Sequence, residues 1–206
     1  MADHVDMTKG LPSNPEKATL EGRNKFLGFW IFLSGETIMF ATFFGAFLGL
    51  REGTAGGPTA EELFQLPLVF IMTMLLLTSS LTSVLAMYAM KRNNFKAMMI
   101  WMSTTVLLGL AFLGLEIYEF VEYVHHGLGY TTSAFGSSFY TLVGLHGAHV
   151  VFGLAWISTL LIRYAKSGIT LTNAPKFYVA SLYWHFIDVV WVFIFTVVYL
   201  MGIGGA

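Results

Sequence analysis

The sequence predicts an all-α integral membrane protein, a bundle of five transmembrane helices. Of its 206 residues, 56% are hydrophobic and only 11% are charged, and the mean hydropathy is +0.69, well above that of an ordinary soluble domain. The hydrophobic residues form five long stretches, and most charged residues lie at their ends. Each stretch exceeds the roughly 20 apolar residues that a helix needs to cross a bilayer core. Such spans are helical because a backbone in lipid must satisfy its own hydrogen bonds.

The four connections are short and contain charges or helix breakers, so no separate domain fits between the spans. The first span ends at REGTAGGPTAEE, the second at KRNNFK, the third at HHGLGYTTSAFG and the fourth at RYAKSGITLTNAPK. Residues 1–25 are polar and lack a secretory signal, so we expect a cytoplasmic leader ahead of one domain over 26–203. The predicted spans are 26–50, 66–90, 97–124, 138–162 and 178–203.

The distribution of basic residues predicts the orientation. With the N-terminus in the cytoplasm and the C-terminus outside, only Arg51 of the 11 lysines and arginines lies on the outer side. The others are Lys9, Lys17, Arg23, Lys25, Lys91, Arg92, Lys96, Arg163, Lys166 and Lys176.

Several function classes find no support in the sequence. Cysteine is absent, which removes disulfides, thiolate metal sites and cysteine nucleophiles. No Gly-rich phosphate loop, nucleophile elbow or basic face for nucleic acid is present. Any chemistry of this chain alone would come from ionisable side chains inside the spans, where such groups normally face the bundle interior or a polar cavity.

Glu36 lies near the middle of the first span. No basic residue is certain to reach its depth, so it either faces another subunit in its protonated form or is satisfied by Ser34 and Thr37. A functional and a structural role are both open for it.

Glu116 and Glu119 share one stripe of the third span, in its outer part. Neighbouring carboxylates at low dielectric resist joint ionisation, which fits a proton relay, a metal site or pairing with histidine. The favoured interpretation is a polar seam that joins helices.

His146 and His149 lie on the fourth span, three residues apart, with nearby glycines that allow a helix to approach closely. Histidines beside carboxylates are also found in di-iron bundles, but those use a Glu-x-x-His motif, which no span here contains. We therefore favour interhelical hydrogen bonds over metal ligation.

His185 and Asp188 lie one turn apart on the fifth span. An aspartate at that depth needs a partner, and His149 at comparable depth is a geometric candidate. A buried structural pair is the favoured interpretation. The hydroxyl-rich run TSSLTS, residues 78–83, is expected to join helices by packing and hydrogen bonds.

Four of these motifs, in this order, resemble subunit III of the haem-copper respiratory oxidases, in the short five-helix form found in bacteria. The resemblance covers about residues 23–202. Its most specific parts are SGETIMF with Glu36, GLEIYEF with Glu119, GSSFYTLVGLHGAHVVFG with His146 and His149, and FYVASLYWHFIDVVWVF with His185 and Asp188.

The resemblance implies a bacterial plasma-membrane complex that reduces oxygen to water and moves protons. In it, subunit III binds no haem and no copper, because those centres belong to subunits I and II. Subunit III packs on subunit I, holds phospholipid and supports proton uptake and stability; a small subunit IV is a further partner. The position of Glu36 matches a glutamate known for its reaction with hydrophobic carbodiimides. The short form lacks the first two spans of the seven-helix form, whose place extra helices of subunit I would fill.

Two other functions remain open from the residues alone. The chain could be a stand-alone membrane metalloenzyme or haem protein that uses the buried His, Glu and Asp groups. It could also be a proton or ion transporter, although the second span lacks charge and no inverted repeat is visible. Whether cytochrome c or quinol supplies the electrons to an oxidase complex is left open by the sequence, with the likeness closer to the cytochrome c form.

Overall fold

The computed structural model describes residues 11, 12 and 14–204, and over these residues it is helical, with no β-strand. Five of its helices are long and apolar enough to cross a membrane, as predicted. The elements are a 3₁₀ turn Pro15–Lys17, α1 Leu20–Leu50, a short α2 Ala60–Leu63, α3 Leu66–Lys91, α4 Phe95–His125, α5 Ala134–Tyr164, and α6 Ala174–Ile194, which continues through a π-helical segment Phe195–Leu200 and a last turn Met201–Ile203.

Local capping explains where the helices begin. The side chains of Thr19, Asn94 and Ser133 accept hydrogen bonds from backbone N–H groups in the first turns of α1, α4 and α5, at 3.0, 3.1 and 3.0 Å. Pro67 and Pro175 occupy the first turns of α3 and α6, where a missing N–H leaves no bond unmade. The long helices therefore begin at positions that the sequence marks.

The start of the first span differs most from its predicted position. α1 begins at Leu20, whereas the predicted span begins at residue 26, because polar residues continue the helix beyond its apolar stretch once Thr19 caps it. Part of the predicted leader also packs on the bundle, since Pro15 and Glu16 of the 3₁₀ turn are buried. Residues 1–10 and 13 lie outside the described residues. The cytoplasmic location of the leader and the orientation stay predictions.

Four helices form a closed ring, and the fifth lies against it. α3 packs on α4, α4 on α5, α5 on α6 and α6 on α3, while α1 packs on α5 and α6. These four helices come close together around the Trp184 side chain. A Cβ added to Gly109 of α4 would lie 2.7 Å from the Trp184 indole ring. Much of the surface of α1 remains uncovered in the isolated chain, as shown by Ile31 and Ile38, which are 68% and 70% exposed.

Candidate functional site

The seven ionisable side chains singled out in the sequence fall into three groups in the structure. One group joins α1 to α5, a second lies inside the ring between α4, α5 and α6, and a third lies along the contact of α3 with α6. They are Glu36 with His149; Glu116, Glu119 and His146; and His185 with Asp188.

The first group is a couple between Glu36 and His149. His149 Nε2 lies 3.1 Å from Glu36 Oε2, and the two side chains are 16% and 17% exposed. His149 Nδ1 lies 2.7 Å from the carbonyl oxygen of Leu145, which only accepts, so Nδ1 carries a hydrogen. One proton therefore lies between Nε2 and the carboxylate, and it belongs either to the imidazole or to the acid.

Two expectations about these residues are corrected here. His149 pairs with Glu36 and not with Asp188, because α1 packs on the α5 face that carries His149. The hydroxyls of Ser34 and Thr37 do not reach the carboxylate either, since they donate to carbonyl oxygens one turn back in their own helix, at 2.9 and 2.8 Å.

In the second group, Glu119 is held by two phenols. Tyr123 donates to Oε1 at 2.7 Å and Tyr199 donates to Oε2 at 2.8 Å. Tyr199 lies in the π-helical segment, a type of local widening that re-aims side chains, and there both Tyr199 and its neighbour Val198 are buried. No sequence pattern indicated the Tyr199 contact, whereas the position of Tyr123, four residues after Glu119, is compatible with the Tyr123–Glu119 bond.

Glu116 and His146 lie in the same part of the core without hydrogen bonds. Among the described residues, neither oxygen of Glu116 and neither nitrogen of His146 has a partner. The carboxylate lies against the backbone of Gly147, where an added Cβ would be 2.8 Å from Oε1. The His146 ring lies 5.2 Å from Trp191, centroid to centroid, with Phe112 at 6.0 Å. His146 therefore lies among aromatic side chains in the core, whereas His149 lies beside Glu36 of α1.

The third group is a ladder of hydrogen bonds between α3 and α6. Ser80 Oγ lies 2.6 Å from His185 Nδ1 and also beside the Asp188 carboxylate, whose Oδ1 has no partner in the described chain. The sequence predicted that His185 and Asp188 contact a neighbouring helix, and in the structure both lie against Ser80 of α3. Further rungs are Ser83 with Ser181 at 2.7 Å, Trp184 with Ser79 at 2.9 Å and Trp191 with Thr73 at 3.0 Å.

Glu36 with His149, Glu119 and His185 bond to other helices. The prediction of interhelical hydrogen bonds is wrong for His146 and Glu116, which form none in the described chain, because apolar and backbone groups surround them. In the part of the chain that the structure describes, no group of three or more His, Asp or Glu side chains is placed to hold a metal ion. The fold and these contacts define a multi-pass membrane protein whose buried ionisable groups mostly join one helix to another.

Comparison with known proteins identifies the family. The family model described as cytochrome c oxidase subunit III matches residues 14–203. The chain is 79% identical to cytochrome c oxidase subunit 3 of Alkalihalophilus pseudofirmus over the full length of both chains, and 68% identical to that of Bacillus subtilis over 94% of each. Quinol oxidase subunit 3 of B. subtilis is 52% identical over 89% of this chain and 90% of its own.

The chain therefore belongs to the cytochrome c oxidase subunit III family. This confirms the resemblance read from the four motifs. The protein is a multi-pass protein of a bacterial plasma membrane and part of a terminal oxidase complex.

Proposed function

We propose that the chain is the accessory, non-redox subunit of a proton-pumping oxidase that reduces oxygen to water. The observation that carries this proposal is the use of its ionisable groups: Glu36, Glu119 and His185 each bind a side chain of another helix. The haems and copper then belong to subunits I and II. Cytochrome c is the proposed electron donor of the complex, because the cytochrome c oxidase relatives are more similar to the chain than the quinol oxidase ones.

The uncovered face of α1 supports packing on subunit I. Gly28, Gly35, Thr42 and Gly49 recur every seven residues along this helix, and a Cβ added to any of the three glycines would meet nothing within 4 Å. Small residues at such spacing let a second helix approach closely in a membrane. Subunit II and a small subunit IV complete the proposed complex.

A groove between α1, α5 and α6 supports lipid binding. It has a volume of about 360 Å³, with aromatic and apolar walls that include Phe29, Trp156 and Val179 and with Lys25 and Lys176 at one end. Apolar walls suit an acyl chain, and the two ammonium groups suit a phosphate at the headgroup level.

The Glu36–His149 couple supports a role in proton uptake. The proton between the two groups can belong to either, and both side chains are partly exposed in the isolated chain. A couple of this kind can take up a proton and hand it to a neighbouring subunit.

Glu36→Gln tests the role in proton uptake. We expect the oxidase complex to assemble with a normal haem spectrum, but to consume oxygen more slowly and to lose activity sooner during turnover, by about two- to tenfold. Glu52→Gln, in the α1–α2 connection, is the matched control and should have no effect. Unchanged turnover and durability in the Glu36 variant would contradict this role.

Asp188→Ala tests the role as an accessory subunit. The variant removes a buried group at the α3–α6 contact, and we expect a loss of about 1–3 kcal/mol in stability, seen as a smaller fraction of complexes that retain the subunit. The haem spectrum of the remaining complexes should be unchanged. Val189→Ala, on the exposed face of α6, is the control. An intact assembly with missing haem, or metal coordinated by this chain in elemental analysis, would overturn the proposal.

A further inference from the structure

Ser80 of α3 lies between two ionisable side chains of α6, His185 and Asp188, which are one turn apart and share a face of that helix. Ser80 Oγ lies 2.6 Å from His185 Nδ1, and the same hydroxyl interacts with the Asp188 carboxylate. Asp188 is only 6% exposed, whereas His185 is partly exposed and lines two grooves of the bundle. Ser80 thus connects a buried carboxylate to an imidazole at the surface.

The number of hydrogens restricts how these three side chains can bond. An ionised carboxylate only accepts, so the single hydrogen of the Ser80 hydroxyl then goes to Asp188. His185 Nδ1 must in that case carry a hydrogen and donate it to Ser80 Oγ, which leaves Nε2 as an acceptor. Nε2 lies 3.5 Å from Ser181 Oγ, a hydroxyl that is bonded more closely to Ser83, at 2.7 Å. Nε2 is therefore weakly held and can accept a proton.

A proton delivered by water to Nε2 converts this arrangement into a second one. The Nδ1 hydrogen passes to Ser80 Oγ, and the original Ser80 hydrogen passes to the Asp188 carboxylate. Asp188 becomes a neutral acid that donates to Ser80, Ser80 donates to Nδ1, and the imidazole carries its hydrogen on Nε2. Each bond to hydrogen that forms is matched by one that breaks. The unit gains one proton, and His185 is neutral before and after.

Polar side chains follow a groove between α3 and α6 from one end of the bundle to His185. Tyr178, Ser181 and His185 succeed one another along about 10 Å of α6, and all three line the groove, among apolar side chains of both helices. Tyr88 and Lys91 of α3 line the end that the charge distribution assigns to the cytoplasmic side. The groove has a volume of about 320 Å³, which is room for several water molecules. Water can therefore deliver protons to His185.

Other titratable groups on the helices around α6 are engaged elsewhere. Lys91 lies 3.9 Å from Glu16, and Glu36 of α1 lies 3.1 Å from His149 of α5. His146 of α5 lies among aromatic side chains in the core. The contact with Ser80 is therefore the one that connects Asp188 to a group that exchanges protons with the groove.

We propose that His185, Ser80 and Asp188 form a proton relay, in which the imidazole takes up protons from water in the groove and the buried carboxylate stores them. Oδ1 of Asp188 has no partner among the described residues, so within them the relay ends at this carboxylate. It acts as a reversible store and not as a path across the membrane. Glu36 takes no part in it, so the relay stands or falls apart from the proton uptake proposed for that residue.

Infrared spectroscopy of the purified oxidase complex tests the relay. The C=O band of protonated Asp188 is the one that Asp188→Asn removes, and its shift after transfer to deuterium oxide gives the exchange rate of the carboxyl proton. We expect Ser80→Ala to slow this exchange by about 100-fold, a usual contribution of a positioned proton-transfer group. Ser80→Thr keeps the hydroxyl and should exchange normally. Thr73→Val, which removes another hydroxyl from the α3–α6 contact, is the matched control and should also exchange normally.

The His185 ring bands, identified by their loss in His185→Gln, provide a second measurement. As acidification brings up the Asp188 band, the imidazole hydrogen should move from Nδ1 to Nε2, and Asp188→Asn should abolish this change. Equal exchange rates in Ser80→Ala and the unmodified complex would overturn the inference. So would equal slowing by Thr73→Val, or a His185 that becomes doubly protonated when Asp188 takes up its proton.

Discussion

Gly147 of α5 leaves the space that the Glu116 carboxylate occupies, and replacing it by alanine tests how tightly the core is built there. A Cβ on Gly147 would lie 2.8 Å from Oε1 and 2.9 Å from Oε2 of Glu116. Glu116 is only 2% exposed, so its side chain cannot turn out of the bundle to make room. Gly144 on the same helix is a matched control, because its Cβ would meet only Phe120, at 4.0 Å.

We expect Gly147→Ala to destabilise the protein by about 1–3 kcal/mol, the usual effect of an extra methyl group in a packed core. At about 2–4 °C per kcal/mol for a chain of this size, the midpoint of heat-induced loss of the subunit falls by roughly 5 °C. Gly144→Ala should leave the midpoint unchanged or raise it, since alanine is the better helix former. The assay is the fraction of detergent-solubilised complexes that retain the subunit after heating.

A double-mutant cycle identifies the cause. In a Glu116→Ala background the obstacle is gone, so Gly147→Ala should have little further effect, with a coupling energy of about 1–2 kcal/mol. If Gly147→Ala lowers the midpoint equally in both backgrounds, or if the Gly144 and Gly147 variants behave alike, the close contact with the carboxylate is not what constrains this position.

Two further substitutions probe the other hydrogen-bonded groups. Tyr199→Phe removes a donor 2.8 Å from buried Glu119, so we expect the stability of the subunit to fall by about 1–3 kcal/mol, measured by its retention after heating. Tyr118→Phe, on the exposed face of α4, is the control and should have no effect. Equal behaviour of the two variants would contradict a stabilising role of the Tyr199–Glu119 bond. Ser80→Ala removes the partner of His185 at 2.6 Å and should lower stability by about 0.6 kcal/mol, the average for such bonds in membrane helices; a loss that persists after His185→Ala would show that the bond is not responsible.

The five spans could be predicted because membrane insertion depends on length and composition, both of which are properties of the sequence. The short connections and the motifs within the spans were equally visible. The ends of the helices were harder to predict. A capping residue such as Thr19 allows a helix to begin among polar residues, and a hydropathy pattern does not include these residues in the span. For the same reason the 3₁₀ turn Pro15–Lys17, which packs on the bundle, fell inside a predicted leader.

The partners of the polar groups could not be predicted, because depth along a span does not specify which helices are neighbours. Glu36 and Asp188 lie at depths similar to that of His149, and α1 and α6 both pack on α5. The side-chain directions decide between them, because His149 is turned towards Glu36 of α1 while Asp188 lies beside Ser80 of α3. Tyr199 was missed for a different reason: the π-helical segment alters the helical periodicity, so that its side chain reaches Glu119 from a position that regular spacing does not indicate.

The distribution of these contacts gives α6 a central place in the bundle. Its serine, histidine and tryptophan side chains bond to α3, and Tyr199 at its end bonds to α4. Tyr183 donates to the backbone oxygen of His149 on α5 at 3.3 Å, next to the couple that holds α1. Since lipid supplies no hydrophobic force that draws helices together, hydrogen bonds and close packing must specify their order. The last span therefore acts as the common partner on which the other four helices are arranged, which is why its polar residues are spread over several turns.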